Sequence, residues 1–143
     1  MSQTEQTLHA TTVAQGGRAI LILGPSGSGK SALALELISR GAALVSDDRT
    51  VVSVQDGQVI ASAPPTIEGM IEARGIGILK LPCADPTPVA LVVDLAQSET
   101  QRLPQARTHR ILDRELRCLA QVDAPHFPAA ILLCLAHGIS EPT

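Results

Sequence analysis

Residues 24 to 31, GPSGSGKS, combine the residue types that proteins use to bind phosphate groups. They fit the pattern G-x-x-x-x-G-K-[S/T], in which glycines let successive backbone N–H groups surround an anion. We therefore predict a nucleotide-binding loop, the phosphate loop, made of Gly24, Pro25, Ser26, Gly27, Ser28, Gly29, Lys30 and Ser31. In such a loop Lys30 reaches the β- and γ-phosphates and Ser31 binds Mg²⁺. The alternative is an ordinary turn rich in glycine and serine.

Two adjacent carboxylates, Asp47 and Asp48, follow the short apolar segment at 43–45. In P-loop proteins, acids at the carboxyl end of a neighbouring strand face the metal and the transferring phosphoryl group. Because successive side chains of a strand point in opposite directions, we expect one acid to face the nucleotide and the other to brace it. The alternative is a polar turn with Asx-type hydrogen bonds.

A third candidate stretch, IEGMIEARGIGILKLP at 67–82, places Glu72 and Arg74 beside Gly75 and Gly77. An acid and a base among glycines indicate a mobile loop that closes over a phosphate site, with the acid available to Mg²⁺ and the base to phosphate. A surface pair of Glu and Arg on a glycine-kinked strand explains the same residues equally well.

The phosphate loop requires a strand before it and a helix after it. Residues 18 to 23, RAILIL, form an apolar run typical of a buried strand. After the loop, Leu33, Leu37 and Ile38 share one face of a predicted helix, and Gly41 is placed to end it. The helix N-terminus adds unpaired N–H groups and a positive dipole end to the anion site.

His9 precedes a possible strand at 11–13, which a turn at 15–17 connects to the strand at 18–23. This hairpin would place His9 at the same end of the sheet as the phosphate loop. Taken alone, a histidine near a terminus is more typical of a solvated surface residue.

Further elements follow the two acids along the chain. We predict a hairpin at 51–61 with a turn at Asp56-Gly57, a buried strand at 88–95 and a helix at 125–138. Residues 110 to 122 fit either an amphipathic helix or two short strands with a turn at Asp113-Arg114. The pattern predicts one α/β domain spanning residues 1–143.

The composition excludes several function classes. A net charge of −3, one Phe and no Tyr or Trp argue against a nucleic-acid partner. The longest apolar runs, at 19–23 and 129–136, fall short of the roughly 20 residues that cross a bilayer, and the N-terminus has no secretory signal. We therefore expect a cytoplasmic protein with no membrane or nucleic-acid partner. Cys83, Cys118 and Cys134 lack C-x-x-C spacing and are predicted to be reduced, mostly buried thiols.

Together these segments resemble the catalytic domain of HPr kinase/phosphorylase, the bacterial enzyme that phosphorylates a serine of the phosphocarrier protein HPr. The resemblance covers 9–103 in order: His9 fifteen residues before Gly24, GPSGSGKS, the acids in VSDDRT, the APP turn at 63–65, and IEARGIGILKL, close to the family signature E-I-R-G-L-G-I. It implies a P-loop nucleotide-binding fold with a mixed sheet, similar to that of PEP carboxykinase. It also implies ATP and Mg²⁺ as cofactors and HPr or a homologous phosphocarrier as partner.

The resemblance implies roles for individual residues as well. The four catalytic candidates are Asp47, His9, Lys30 and Arg102. Among them, Asp47 matches the family's proton acceptor, which takes the proton of the substrate serine. The candidate metal ligands are Ser31 and Glu72, from the resemblance, and Asp48, from its position after a strand. Arg74 is a candidate phosphate ligand.

The chain also departs from the family pattern. The segment P-V-x-x-G-R-N, tied to the reverse, phosphate-driven reaction, is replaced by APHFPAA at 124–130, which argues against phosphorylase activity. We expect a short form of the family that consists of the catalytic domain without the N-terminal domain of full-length members. Family members form hexamers, and a homo-oligomer is the corresponding expectation here. Two alternative functions are a P-loop kinase of small metabolites and an ATP-binding sensor.

Overall fold

A computed structural model describes residues 4–140, which form eleven strands and two helices. The strands are β1 (Glu5–Leu8), β2 (Ala10–Gln15), β3 (Arg18–Leu23), β4 (Ala43–Ser46), β5 (Thr50–Gln55), β6 (Gln58–Ser62), β7 (Met70–Ala73), β8 (Gly77–Lys80), β9 (Thr87–Ser98), β10 (Arg107–Ile111) and β11 (Arg114–Gln121). The helices are α1 (Lys30–Ser39) and α2 (Phe127–His137), and Pro65–Ile67 form one 3₁₀ turn. Within residues 4–140, no helix is long and apolar enough to span a membrane.

Strand β9 is the centre of the sheet because it pairs with three neighbours. It runs parallel to β3 and β11, and near its start it runs antiparallel to β6. From β3 the sheet continues antiparallel through β2 to β4, and from β6 through β5 to β1. Strand β10 pairs with β11, and β7 and β8 form a separate antiparallel pair. The predicted α/β fold with a mixed sheet is confirmed.

Both faces of β3 are covered, which explains why its sequence is apolar throughout. Ile20 and Ile22 pack with Leu37 of α1 and Ile131 of α2. Leu21 points to the opposite face, where it belongs to a second core that includes Val52 of β5 and Val59 of β6. Burying one such side chain fully stabilises the fold by about 1.5–3 kcal/mol, so these two cores fix the position of β3 and of the loop that leaves it.

The hairpin of β2 and β3 brings distant parts of the sequence to one edge of the sheet. Gly16 and Gly17 form its turn with φ of 63° and 77°, and Ala10 pairs with Leu23. His9 therefore lies beside the start of the phosphate loop. Strand β4 pairs with the other side of β2 and ends at Ser46, so that Asp47 and Asp48 leave the sheet at the same edge.

Most of the predicted elements are confirmed. The strand at 18–23, the hairpin at 51–61, the strand at 88–95 and the helix at 125–138 all form, and the last ends at Gly138. The helical interpretation of 110–122 is wrong. The segment is a hairpin because β11 pairs with the distant strand β9, a partner that local periodicity does not reveal.

Four further differences from the predictions concern smaller features. The turn between β10 and β11 lies at Leu112 and Asp113, one residue earlier than predicted, and both have positive φ. The segment at 67–82 is not a loop, since β7 and β8 pair within it. Strand β1 was not predicted, and Cys83 is exposed rather than buried.

Candidate active site

A cavity of about 630 Å³ lies at the sheet edge where β2 and β4 meet the start of α1. Its lining includes five residues of the phosphate loop, Ser26, Gly27, Gly29, Lys30 and Ser31, and four other predicted site residues, His9, Asp48, Glu72 and Arg74. These nine residues come from four separate segments of the chain. The fold therefore gathers most of the predicted site into one cavity.

The phosphate loop has the shape that an anion site requires. A Cβ on Gly24 would lie 2.4 Å from Ser28 Oγ and 3.2 Å from Leu95 Cβ, so only glycine fits where β3 turns into the loop. Gly29 has a φ of 100°, and a Cβ there would meet no atom within 4 Å. Open space therefore lies against the loop backbone directly before α1, where the helix presents N–H groups without helical partners.

The ammonium group of Lys30 is held against this loop. Its Nζ donates to the carbonyl oxygen of Gly24 at 2.8 Å and to that of Pro25 at 3.2 Å. Only 6% of the residue is exposed. Lys30, the first residue of α1, thus directs its charge at the loop.

Asp47 lies behind the cavity and is held by three donors. Its Oδ1 accepts from the hydroxyls of Ser31 at 2.7 Å and Thr11 at 3.0 Å, and its Oδ2 accepts from the backbone N–H of Glu72 at 3.1 Å. The residue is partly buried and does not line the cavity. Asp47 therefore connects the phosphate loop, strand β2 and strand β7.

Asp48 faces the cavity and pairs with His9. The Nε2 atom of His9 lies 2.7 Å from Asp48 Oδ1, with 48% of the histidine side chain and 63% of the aspartate side chain exposed. Asp48 has a φ of 69°, which is uncommon outside glycine, and the N–H of Arg49 donates across it to the carbonyl of Asp47 at 2.8 Å. This tight turn directs the two carboxylates to different surroundings.

The β7–β8 hairpin forms one wall of the cavity. Glu72 and Arg74 are both exposed and both line it, but no ion pair between them occurs among the described residues. Beyond them, Ile76 also lines the cavity while 82% of it is exposed, and Ile78 is 61% exposed. The hairpin therefore combines charged residues at the cavity with two exposed isoleucines, Ile76 in the turn and Ile78 on β8, which together we call the apolar tip.

Within residues 4–140, Arg102 is the one predicted catalytic residue that neither lines this cavity nor shares a hydrogen bond with the residues that do. It is exposed, in the segment that follows β9, and does not line the cavity. The segment is fixed instead through Glu99, whose carboxylate binds the N–H groups of Thr100 and Gln101 and the guanidinium of Arg107. The Gln101 N–H above all lowers the pKa of Glu99, against an opposing contribution from burial.

A second cavity of about 510 Å³ lies between that segment, β11 and α2. Its walls are mainly apolar, including Leu119, Phe127 and Ile131, and it contains none of the predicted site residues. Of these two cavities, the predicted site residues therefore line only the first.

The residues that could hold a metal are few and lie in the first cavity or directly behind it. Among residues 4–140, no three His, Cys, Asp or Glu side chains come together as a metal site. A site with few protein ligands suits Mg²⁺, which proteins usually bind through one or two carboxylates together with substrate phosphates and water. Asp47 contacts the hydroxyl of Ser31 and the backbone N–H of Glu72, and the Glu72 side chain belongs to a residue of the cavity lining.

Thr11 is the functional candidate that sequence reasoning missed. It was predicted only as a strand residue, yet its hydroxyl contacts both Asp47 and the backbone of Asp48. The available signal was its position two residues after His9, because alternate residues of an extended chain point to the same side.

Comparisons with known proteins agree with the family resemblance of the sequence. The family described as HPr Serine kinase C-terminal domain matches residues 1–118. A protein of Clostridium botulinum (strain Eklund 17B / Type B) named HPr kinase/phosphorylase is 49% identical over 75 residues, which are 52% of this chain and 25% of that protein. A protein of Bordetella petrii with the same name is 45% identical over 76 residues, again 52% of this chain and 25% of that protein. The match thus spans about a quarter of the length of these curated relatives.

A solved structure resembles the whole fold. The Hpr(Ser) kinase/phosphatase from Coxiella burnetii superposes with a TM-score of 0.79 at 30% identity, covering 92% of this chain and 88% of that chain. The chain belongs to the HPr Serine kinase C-terminal domain family.

Proposed function

We propose that this chain transfers the γ-phosphoryl group of ATP to a serine of HPr or a homologous phosphocarrier protein, in a reaction that requires Mg²⁺. The observation that carries the proposal is the single cavity that joins the phosphate loop, the His9–Asp48 pair and the charged side of the β7–β8 hairpin. Phosphoryl transfer depends on positioning and charge neutralisation, and the cavity offers groups for both. A cytoplasmic location accompanies the proposal because ATP is the donor.

The phosphate loop supports binding of the nucleotide. Open space at Gly29, the start of α1 and the ammonium group of Lys30 together suit the β- and γ-phosphates. Ser31, Asp47 and Glu72 would hold Mg²⁺. Asp47 replaces Asp48 in the predicted set of metal ligands, because Asp47 is the acid in contact with Ser31. Arg74 would contact a phosphate from the opposite wall. The metal, when bound, neutralises charge on the phosphate oxygens.

We assign the role of proton acceptor to Asp48 rather than to Asp47, which the family resemblance implied. Both carboxylate oxygens of Asp47 already accept hydrogen bonds, and that residue does not line the cavity. Asp48 lines it, is largely exposed and accepts one hydrogen bond, from His9. A carboxylate in reach of the acceptor hydroxyl is what a general base requires.

The proposed step is a direct displacement. The acceptor hydroxyl oxygen forms a bond to the γ-phosphorus while the bond from that phosphorus to the β,γ-bridging oxygen breaks, which releases ADP. The hydroxyl proton passes to the carboxylate of Asp48, and His9 holds that carboxylate in place through Nε2. Lys30 supplies positive charge beside the phosphates throughout.

The apolar tip of the hairpin favours a protein acceptor over a small metabolite. Ile76 lies at the cavity yet is 82% exposed, and Ile78 is 61% exposed. A metabolite small enough to enter the cavity would leave most of both side chains in water, whereas a folded protein surface could cover them. An ATP sensor, the third possibility, gives no reason for a carboxylate–histidine pair in the cavity.

The test is transfer of label from γ-labelled ATP with Mg²⁺ to purified HPr and to HPr whose acceptor serine is replaced by alanine. We expect label on the first protein alone. If ATP binds and neither protein is labelled, the kinase proposal is overturned and the sensor or small-metabolite alternative takes its place.

A further inference from the structure

The hydroxyl of Thr11 contacts both adjacent acids, the side chain of Asp47 and the backbone of Asp48. It donates to Asp47 Oδ1 at 3.0 Å and accepts from the backbone N–H of Asp48 at 3.2 Å. Thr11 is fully buried, although it also belongs to the lining of the cavity. One hydroxyl therefore fixes a carboxylate on one side and a peptide N–H on the other.

The conformation of Asp48 needs such a contact. Its φ of 69° is unfavourable for a residue with a side chain and persists only where the surroundings hold it. Asp47 has two further donors, Ser31 and the N–H of Glu72, but Thr11 is the acceptor that the described residues provide for the N–H of Asp48. Removal of the hydroxyl should therefore release Asp48 more than Asp47.

We propose that Thr11 is a positioning residue that gives the two acids different orientations. Its hydroxyl holds the backbone of Asp48 so that the Asp48 carboxylate faces the cavity and His9, and it helps to hold the Asp47 carboxylate against Ser31. The inference rests on the proposed function, because it assumes that Asp48 acts as the proton acceptor. In this role Thr11 acts through the Asp48 backbone, although it also lines the cavity.

The adjacent residue provides a matched control. Thr12 is equally buried and belongs to the same strand, but its hydroxyl lies 2.9 Å from Thr50 Oγ1, on the opposite face of β2. Replacing either threonine by valine keeps the β-branching and nearly the same shape, and exchanges only the hydroxyl for a methyl group. Loss of a buried hydroxyl is common to both variants, and contact with the acids is particular to Thr11.

The experiment compares Thr11→Val, Thr11→Ser and Thr12→Val in the full chain, with ATP, Mg²⁺ and HPr. We expect kcat to fall by at least about tenfold in Thr11→Val while the KM for ATP stays within about twofold, since only the acceptor side is misplaced. Thr11→Ser should restore kcat, and Thr12→Val should leave it unchanged. Equal kcat in Thr11→Val and the wild type, or an equal loss in Thr12→Val, overturns the proposal.

A second readout is independent of catalysis. The side-chain ¹⁵N resonances of His9 report its bond to Asp48, and they should move in Thr11→Val but not in Thr11→Ser or Thr12→Val. Unmoved resonances in Thr11→Val overturn the proposal. If the wild type transfers no phosphate to HPr, the proposed function fails, and the His9 resonances alone then decide whether Thr11 positions Asp48.

Discussion

Ser31 and Asp47 are joined side chain to side chain, with the serine Oγ donating to Asp47 Oδ1 over 2.7 Å. Ser31 belongs to the first turn of α1 and Asp47 follows β4, so the bond ties the phosphate loop to the sheet edge. A hydroxyl and a carboxylate in contact at this point can share a divalent cation. The same bond occupies Asp47 and leaves Asp48 as the acid that faces the cavity.

Replacing the two acids one at a time should separate their roles. In Asp48→Asn we expect kcat to fall by about 10²–10⁴ with ATP affinity nearly unchanged, because only the proton acceptor is lost. In Asp47→Asn the Mg²⁺ concentration needed for half-maximal ATP binding should rise, because the amide lacks the charge of the carboxylate. Steady-state kinetics and a Mg²⁺ titration of nucleotide binding measure the two effects. The reverse pattern would return the proton-acceptor role to Asp47.

Lys30→Met should abolish most nucleotide binding. The ammonium group lies against the loop carbonyls of Gly24 and Pro25, and a thioether cannot supply its charge to the phosphates. We expect ATP affinity to fall by at least about tenfold, as loss of one charge-assisted hydrogen bond of about 1.5–3 kcal/mol implies. Isothermal titration calorimetry measures the ATP affinity of the variant and the wild type.

Lys80→Met is the matched control for that variant. Lys80 is the chain's other lysine, is exposed on β8 and does not line the cavity. ATP affinity equal to that of the wild type in both variants would mean that Lys30 does not bind phosphate.

Local sequence predicted those parts of the fold that local chemistry decides. The hairpin at 51–61 follows from Asp56-Gly57, which adopt φ of 51° and 77° as their turn requires. The phosphate loop follows from its glycines and from the apolar strand before it. By contrast, residues 110–122 became strands because β11 pairs with β9, which lies more than twenty residues earlier at the paired positions, as at Cys118 and Val92.

The different orientations of the Asp47 and Asp48 side chains could not be predicted from strand alternation. Strand β4 ends at Ser46, so neither acid follows the alternation of a strand. Their directions depend on the positive φ of Asp48 and on Thr11 and Ser31, which are distant in sequence. Residue types, spacing and the family resemblance thus predicted most of the polar residues that line the cavity, but not Thr11, and the arrangement of these residues depends on tertiary hydrogen bonds.

The three thiols should differ in reactivity with pH. Burial raises the pKa of Cys118, with the negative charge of Asp94 adding to the effect, and burial also raises the pKa of Cys134. A raised pKa leaves less reactive thiolate at neutral pH, and the thiolate fraction grows as the pH approaches that pKa. Iodoacetamide should therefore label exposed Cys83 first at neutral pH and reach Cys118 and Cys134 only in alkaline solution.

Mass spectrometry of digested protein measures this order of labelling. Cys83→Ser should remove the fast phase and leave the slow phases as they are in the wild type. Equal labelling of Cys118 and Cys83 at neutral pH would contradict the burial of Cys118 in the folded chain.

The apolar tip of the β7–β8 hairpin should matter for the protein acceptor and not for the nucleotide. In Ile76→Asn we expect the KM for HPr to rise by about tenfold, as the loss of one buried aliphatic side chain of about 1.5–3 kcal/mol allows, while ATP affinity stays unchanged. Leu133→Asn is the matched control, because Leu133 is 61% exposed on α2 and lines neither the site cavity nor the second one. Steady-state kinetics with varied HPr measures both variants. An unchanged KM in Ile76→Asn, or the same increase in Leu133→Asn, would show that the tip does not contact the acceptor and would remove this argument against a small-metabolite substrate.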